Sequence, residues 1–140
     1  MKNEFLEKYM KENLRACQLK QTAILVEIDR VCRKHNIPYW LDGGSLLGAV
    51  RHGGFIPWDD DIDIAMRLED LERFKQIAPQ ELKSGLFLQT QESDPSCPIP
   101  GAKVRDLNSL CIELREEMDA DYQKGLFVDI FPFIDYPDMS

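Results

Sequence analysis

The segment from Trp40 to Met66, WLDGGSLLGAVRHGGFIPWDDDIDIAM, most constrains how this chain can fold. Its last part alternates acidic and apolar residues from Asp61 to Ile64. Residues two apart on a β-strand project from the same face, so Asp61 and Asp63 are predicted to lie together, with the two isoleucines on the opposite, core face. The segment therefore predicts a strand with one buried apolar face and one face of paired carboxylates.

Two carboxylates on one strand face carry an energetic cost that a bound cation would offset. Like charges about 4 Å apart repel by roughly 1–4 kcal/mol in a surface-like dielectric, and Asp is a poor strand former. Proteins commonly hold Mg2+ with one or two carboxylates that leave positions open for water and phosphate oxygens. We therefore predict a divalent metal ion, Mg2+ or Mn2+, at Asp61 and Asp63. The alternative is a solvated acidic turn that leads into an edge strand.

A Gly-Gly-Ser turn precedes the acidic strand and is predicted to bind phosphate. Gly43 and Gly44 allow the backbone to turn tightly and approach a ligand, and Ser45 is predicted to be the N-cap of a short helix. The N-terminus of a helix presents N–H groups and a partial positive charge, which suit an anionic phosphate. On its own this motif could be an ordinary capped turn. Its position before the Asp pair favours a joint phosphate and metal site.

These motifs carry a family resemblance. Gly44-Ser45 followed by Asp61-Ile62-Asp63-Ile64 resembles the signature of the nucleotidyltransferase fold, the polymerase-β-like superfamily. The longer segment LDGGSLLGAVRHGGFIPWDDDIDIAM resembles the LicD family within this superfamily. The LicD family includes bacterial phosphocholine transferases and fukutin-type ribitol-phosphate transferases. The resemblance implies an α/β (α+β) fold with a mixed β-sheet, flanking helices and a long N-terminal helix.

The same resemblance implies a metal-dependent phosphotransferase. Such an enzyme moves a phospho-alcohol group, phosphocholine or similar, from a CDP-activated donor such as CDP-choline to a cell-surface glycan precursor, as in modification of lipopolysaccharide or teichoic acid. This chemistry takes place on the cytoplasmic side before export. Two alternatives stay open. One is a nucleotidyltransferase of another kind that moves NMP from an NTP, and the other is a catalytically incomplete module that binds a nucleotide or a partner protein.

Asp129 interrupts the apolar segment from Leu126 to Phe133, LFVDIFPF, which is predicted to be a strand. A lone carboxylate in such a strand is costly to bury unless it is paired or bound to a metal. One interpretation is an ion pair with Lys103 or Arg105. The other makes Asp129 the third catalytic and metal-binding carboxylate, beside the Asp pair of the central segment. The family resemblance favours the second interpretation, because a comparable acid occurs there in a similar DIFP context.

Four basic side chains are further candidates for binding phosphate. Arg51 can grip phosphate through two N–H groups. His52 could donate to phosphate or act as an acid, with a merely structural role equally open. Lys103 and Arg105 fall on one face of a predicted strand over residues 102–105, where charged side chains are more commonly exposed to solvent.

The composition is that of a globular protein of one domain. The chain has 140 residues, of which 44% are hydrophobic and 30% charged. Its net charge of −8 argues against a non-specific nucleic-acid binder. No apolar stretch approaches membrane-spanning length, and the N-terminus lacks the apolar core of a signal peptide. The chain has four cysteines, none with CxxC spacing, and two histidines. This pattern argues against a zinc site. We expect a cytoplasmic protein, with a homo-oligomer left open.

Residues 1–140 are predicted to form a single LicD-like domain, with a helical segment over 1–36 and the catalytic core over 38–136. Proteins that resemble it continue beyond the position where this chain stops. The chain is therefore expected to be C-terminally truncated relative to the family.

Helical periodicity extends from about Asn3 to His35, and Asn36 is expected to end this helix. Two polar members of its buried stripe, Gln18 and Gln21, are expected to bond to the backbone, since buried amides need partners. The alternative places Gln18 in the substrate cleft. A further helix is predicted over residues 67–78, with Pro79 following it.

Overall fold

A computed structural model describes residues 4–57, 59, 61–97, 99–109 and 125–134. Within these ranges the elements are, in chain order, α1 (Glu4–His35), β1 (Trp40–Leu41), α2 (Gly43–His52), β2 (Asp63–Arg67), α3 (Leu68–Glu81), β3 (Leu86–Gln89), β4 (Ala102–Asp106) and β5 (Phe127–Phe133). The strands form a five-stranded sheet in the order β1-β2-β5-β4-β3. The predicted α/β (α+β) class, with its mixed sheet and long N-terminal helix, is confirmed.

The sheet register brings distant acidic and basic residues together. Strand β2 pairs antiparallel with β1 and parallel with β5, and β4 runs antiparallel to both β3 and β5. The β2–β5 pairing sets Asp63 opposite Asp129, and the β4–β5 pairing sets Lys103 opposite Asp129. Paired residues project from the same face of a sheet. These three side chains therefore lie on one face, which we call the site face.

The opposite face of the sheet packs against α1 and α3. Ile62 and Ile64 are 4% and 0% exposed, which confirms the predicted core side of the acidic strand. Fully burying one such side chain contributes roughly 1.5–3 kcal/mol, so the alternation alone fixes which face β2 buries. The cluster that these strands form with the two helices includes Ile24, Ile28, Val31, Cys32, Leu71, Phe74, Ala78, Val104, Val128 and Ile130.

Helix α1 ends where the sequence indicates. Asn36 adopts a left-handed φ of 55°, and the N–H of Ile37 donates to the carbonyl of Cys32 at 2.9 Å. Helix α1 has 32 residues and is amphipathic, with charged residues beside its apolar stripe. Across the described ranges, no helix combines the length and apolarity that spanning a membrane requires.

The helix predicted over residues 67–78 corresponds to α3, but its predicted end before Pro79 is wrong. Helix α3 runs from Leu68 to Glu81 and contains Pro79. A proline in the last turn removes one backbone N–H bond without preventing the final residues from staying helical. The N–H of Leu82 donates to the carbonyl of Ala78 at 2.9 Å, and Lys34 Nζ of α1 lies 3.1 Å from Glu81 Oε2. The Leu82 bond closes the last turn of α3, and the Lys34 contact holds that turn against α1, so the helix continues past the proline.

Candidate phosphate and metal site

Asp63 and Asp129 occupy neighbouring positions on adjacent strands of the site face. Their Cα atoms are register partners, and adjacent strands lie about 4.8 Å apart. The N–H of Asp129 donates to the carbonyl of Ile62 at 3.0 Å, and the N–H of Asp42 donates to the carbonyl of Asp63 at 2.9 Å. Backbone bonds on both sides therefore fix the position of β2. Both carboxylates are partly exposed, so a ligand can approach them.

Asp61 lies just before β2, two residues from Asp63. The intervening Ile62 is buried, so the alternation of faces continues past the end of the strand. Among the described residues, no group of three or more His, Cys, Asp or Glu side chains is arranged to hold a metal ion. Mg2+ is usually held by only one or two carboxylates plus phosphate oxygens and water. The register pair Asp63 and Asp129 fits the donor chemistry of such an ion, with Asp61 as an adjacent third acid.

Helix α2 begins beside this pair of acids, and its N-cap is Asp42 rather than Ser45. Asp42 is extended, with φ −129° and ψ 162°, and its carbonyl accepts from the N–H of Ser45 at 3.2 Å. The predicted N-cap is wrong because α2 already begins at Gly43, whose left-handed φ of 53° leads the chain from extended Asp42 into the helix. Ser45 Oγ instead accepts a hydrogen bond from the N–H of Asp63 at 2.9 Å. Ser45 therefore joins the first turn of α2 directly to the acidic strand.

The two glycines at the start of α2 give the acidic side chains room. A Cβ at Gly44 would lie 2.8 Å from Asp59 Oδ2, too close for a real contact, and one at Gly43 would lie 3.6 Å from Asp63 Oδ2. The first N–H groups of any α-helix lack intrahelical acceptors. The start of α2 can therefore offer N–H donors to an anion within reach of the carboxylates.

The buried amides of α1 support this arrangement from behind. Gln18 is 3% exposed, and its Nε2 donates to the carbonyl of Asp59 at 2.8 Å. Gln21 Nε2 donates to the carbonyl of Phe127 at 3.4 Å. The prediction that these amides bond to the backbone is confirmed. Through them α1 holds both the acidic loop before β2 and the first residue of β5.

Lys103 lies beside Asp129 on the site face. Its Nζ is 4.0 Å from Asp129 Oδ1 and 4.0 Å from the centroid of the Phe127 ring. The ion-pair interpretation of Asp129 is thus realised with Lys103. It is compatible with metal binding, because a carboxylate has several lone-pair positions on its two oxygens.

Arg105 occupies the interior, two residues along the same strand. It is 0% exposed, its Nε donates to Gln89 Oε1 at 2.7 Å, and its Nη1 donates to the carbonyl of Gly125 at 2.8 Å. Its guanidinium also lies 4.7 Å from the Phe127 ring centroid. This environment favours a role in supporting β5. That Arg105 binds phosphate stays a prediction.

Arg51 and His52 lie in the last turn of α2 and are exposed. Arg51 lies six positions after Ser45, which corresponds to about 9 Å along the helix axis. Basic residues at a helix C-terminus also complement the helix dipole. The structure therefore does not gather these two side chains at the start of α2, and their contact with phosphate stays a prediction.

A cavity of about 490 Å3 opens beside Asp129. Its lining comes from residues 99–101 before β4, the start of β4 and the middle of β5, and includes Lys103, Asp129 and Phe131. Binding sites for small molecules typically have volumes of roughly 300–1,000 Å3. The cavity could not be inferred from the sequence, because it depends on the pairing of β4 with β5. The role of Asp42 was also missed, although its position directly before Gly-Gly was a signal.

Comparison with known proteins identifies the family of this chain. The family described as "LicD/FKTN/FKRP, nucleotidyltransferase domain" matches residues 36–140. The chain is 37% identical over 130 residues to the lipopolysaccharide cholinephosphotransferase LicD of Haemophilus influenzae, which covers 91% of this chain and 46% of that protein. It is 52% identical over 48 residues to the human ribitol 5-phosphate transferase FKRP, which covers 34% of this chain and 10% of FKRP.

A third relative is the human ribitol-5-phosphate transferase FKTN, at 23% identity over 120 residues, or 84% of this chain and 24% of FKTN. The chain therefore spans less than half the length of each of these curated relatives. The family match covers most of the chain and includes both acidic strands of the site. The chain belongs to the LicD/FKTN/FKRP nucleotidyltransferase domain family.

Proposed function

We propose that this chain carries the reaction centre of a transferase that moves a phospho-alcohol group from a CDP-activated donor to a cell-surface glycan precursor. The observation that supports it most is the pairing of Asp63 with Asp129 beside the first turn of α2. The names of the relatives support the substrate class, since a cholinephosphotransferase and ribitol 5-phosphate transferases both transfer a phospho-alcohol.

Asp63 and Asp129, with Asp61 next to them, would hold Mg2+ or Mn2+. A bound ion of this kind polarises phosphoryl oxygens and neutralises charge that develops during transfer. The chain itself supplies position. Backbone hydrogen bonds from β5 and from Asp42 fix β2 on both sides, so the two carboxylates need little rearrangement before they act.

The first turn of α2 would bind the diphosphate of the donor. The N–H groups at Gly43 and Gly44 suit phosphate oxygens, since a helix N-terminus attracts anions. Ser45 Oγ already accepts from the N–H of Asp63, so its own proton can be donated to a phosphate oxygen. One hydroxyl would thus connect the donor to the strand that carries the metal-binding acids.

A carboxylate would take the proton of the acceptor hydroxyl as it attacks phosphorus, and CMP would leave. Asp129 is the better candidate for this general base, because it borders the cavity of about 490 Å3 through which an acceptor can approach. Asp63 lies on the side of Ser45, where the donor phosphates are proposed to bind. Proton transfer of this kind contributes typically 10²–10⁴-fold to a rate.

Product analysis tests this proposal. The chain is incubated with CDP-choline, CDP-ribitol or CTP, with and without a glycan acceptor, in Mg2+ or in EDTA, and the released nucleotide and pyrophosphate are resolved by ion-exchange chromatography. We expect release of CMP that requires Mg2+. Release of pyrophosphate from an NTP, with no CMP from either donor, would instead identify a transferase of NMP groups. Nucleotide binding without release would indicate a catalytically incomplete module.

A further inference from the structure

Three exposed aromatic side chains lie on the site face next to the carboxylates. Trp40, Phe131 and Phe133 are 38%, 37% and 43% exposed. Scattered single apolar residues are normal on a protein surface, but a contiguous group of large ones marks an interaction site. The proposed transfer chemistry uses none of these rings, so they need a separate explanation.

The sheet register places Trp40 and Phe131 in the row adjacent to the acids and Phe133 in the row after it. Trp40 is paired with Ala65, and Ala65 is paired with Phe131. Asp63 and Asp129 stand two residues earlier on the same strands and therefore on the same face. The Trp40 and Phe133 rings meet edge to face, with centroids 5.3 Å apart. Ala65, which lies between Trp40 and Phe131 in their row, is small and 0% exposed, so the two larger rings flank it.

We propose that this aromatic patch, Trp40, Phe131 and Phe133, binds the quaternary ammonium group of phosphocholine. The inference rests on the proposed function, in which the phosphate lies at the carboxylate row. Asp129 and Phe131 are separated by about 6.6 Å along the strand, at a rise of about 3.3 Å per residue. The two-carbon bridge of choline can span this separation. Aromatic faces attract such a cation most strongly when it is partly desolvated.

The charges nearest the Trp40–Phe131 row favour a cation. Asp63 and Asp129 form the neighbouring row along the β2–β5 pair, and Lys103 offsets part of their charge from the β4 side. Arg67 is the register partner of Phe133 and adds a positive charge at the far end of the patch, so the ammonium group is expected at the end of the patch that borders the acids. Phe131 also lines the cavity beside Asp129. An uncharged polyol would gain no cation–π attraction here.

The test compares phosphocholine with its neutral isostere, 3,3-dimethylbutyl phosphate, by NMR titration of the full chain in Mg2+. The two ligands have the same shape and differ only in the positive charge. We expect the wild type to bind phosphocholine about 3- to 10-fold more tightly than the isostere. Phe131→Leu and Trp40→Leu keep apolar bulk but remove a ring, and each should lower this ratio toward one. Val26→Ala, on an α1 residue that is 64% exposed, is the control and should keep the ratio.

Equal affinity of the wild type for both ligands, or an unchanged ratio in both Leu variants, would overturn the inference. Loss of CMP affinity in the Leu variants with an unchanged ratio would assign the patch to a nucleobase, and would overturn it as well. Two variants on different strands guard against a folding defect in one of them. The titration needs no turnover, so a ring-dependent preference without CMP release would contradict only the proposed function.

Discussion

Ser45 connects the first turn of α2 directly to β2. Its Oγ accepts from the N–H of Asp63 at 2.9 Å at a partly buried position. Ser45→Ala removes this acceptor and is expected to lower the free energy of unfolding by about 1 kcal/mol, the usual net value of a hydrogen bond. Urea denaturation measures the change. Ser45→Thr keeps the hydroxyl and should lose less, whereas an Ala variant as stable as the wild type would contradict this role.

The residue types of the site were predictable, but some of their partners were not. Two consecutive glycines allow a left-handed φ at either position, so the sequence alone could not show whether the helix begins before or after them. The structure takes Gly43 into the first turn, which moves the N-cap to Asp42 and frees Ser45 to bind β2. Buried Gln18 was correctly expected to bond to the backbone, but its partner at Asp59 is 41 positions away and no local pattern indicates it.

Strands and helices were predicted where the pattern is local. The alternation in β2 and the long apolar stripe of α1 are properties of neighbouring residues, and both elements are confirmed. The pairing of β2 with β5 joins segments that are far apart in sequence. Only the family resemblance indicated that Asp63 and Asp129 would meet. The aromatic patch could not be predicted from the sequence for the same reason, because Trp40 and Phe131 lie in one row only after three strands have paired.

The contact of α2 with the loop that follows it depends on Gly48. A Cβ there would lie 2.5 Å from the carbonyl oxygen of Gly54 and 2.9 Å from the backbone nitrogen of Ile56. Gly48→Ala must therefore displace backbone, and we expect it to cost about 1–3 kcal/mol, as for other overpacked sites. Thermal or urea unfolding measures the loss.

Gly54→Ala is the matched control for this prediction. A Cβ at Gly54 meets nothing within 4 Å, and its φ lies outside the left-handed region. The control should be neutral or slightly stabilising, because alanine restricts the unfolded chain. Equal stability of the two variants would show that α2 does not pack against the loop after it as closely as the structure indicates.

Acid should destabilise the folded chain through Glu27, which joins α1 to the segment after α3. Glu27 is 7% exposed and lies 2.6 Å from Arg30 Nη2, and it accepts from the N–H of Lys83 at 3.2 Å. The hydrogen bond from Arg30 lowers the pKa of Glu27 below its ordinary 4.5, which outweighs the opposing effect of burial. Because the pKa of Glu27 is lower in the folded than in the unfolded state, its carboxylate stabilises the fold at pH values above the unfolded-state pKa. This stability is lost as pH falls through the folded-state pKa.

Glu27→Gln tests that dependence directly. At pH 7 the free energy of unfolding of the variant should be about 1–2 kcal/mol lower than that of the wild type, because hydrogen bonds to a charged group are lost. The difference should shrink as pH falls below the ordinary value of 4.5, because the unfolded chain binds a proton there first, and it should be lost once pH falls below the lowered pKa of the folded state. Urea denaturation at pH 7, 5 and 3.5 gives the comparison. A difference that stays constant over this range would assign the effect to packing and not to charge.

The central claim is that Asp63 and Asp129 form one reaction centre across two strands. It is tested most directly by Mg2+-dependent release of CMP from CDP-choline and CDP-ribitol in the wild type, Asp63→Asn and Asp129→Asn. Asp70→Asn, a carboxylate on α3 that pairs with Arg73, is the matched control and should retain the wild-type rate. We predict that both site variants stay folded and lose activity by at least about 100-fold, since altering even the outer shell of a metal site costs 10- to 100-fold. Rates within twofold of the wild type in either site variant would contradict the account.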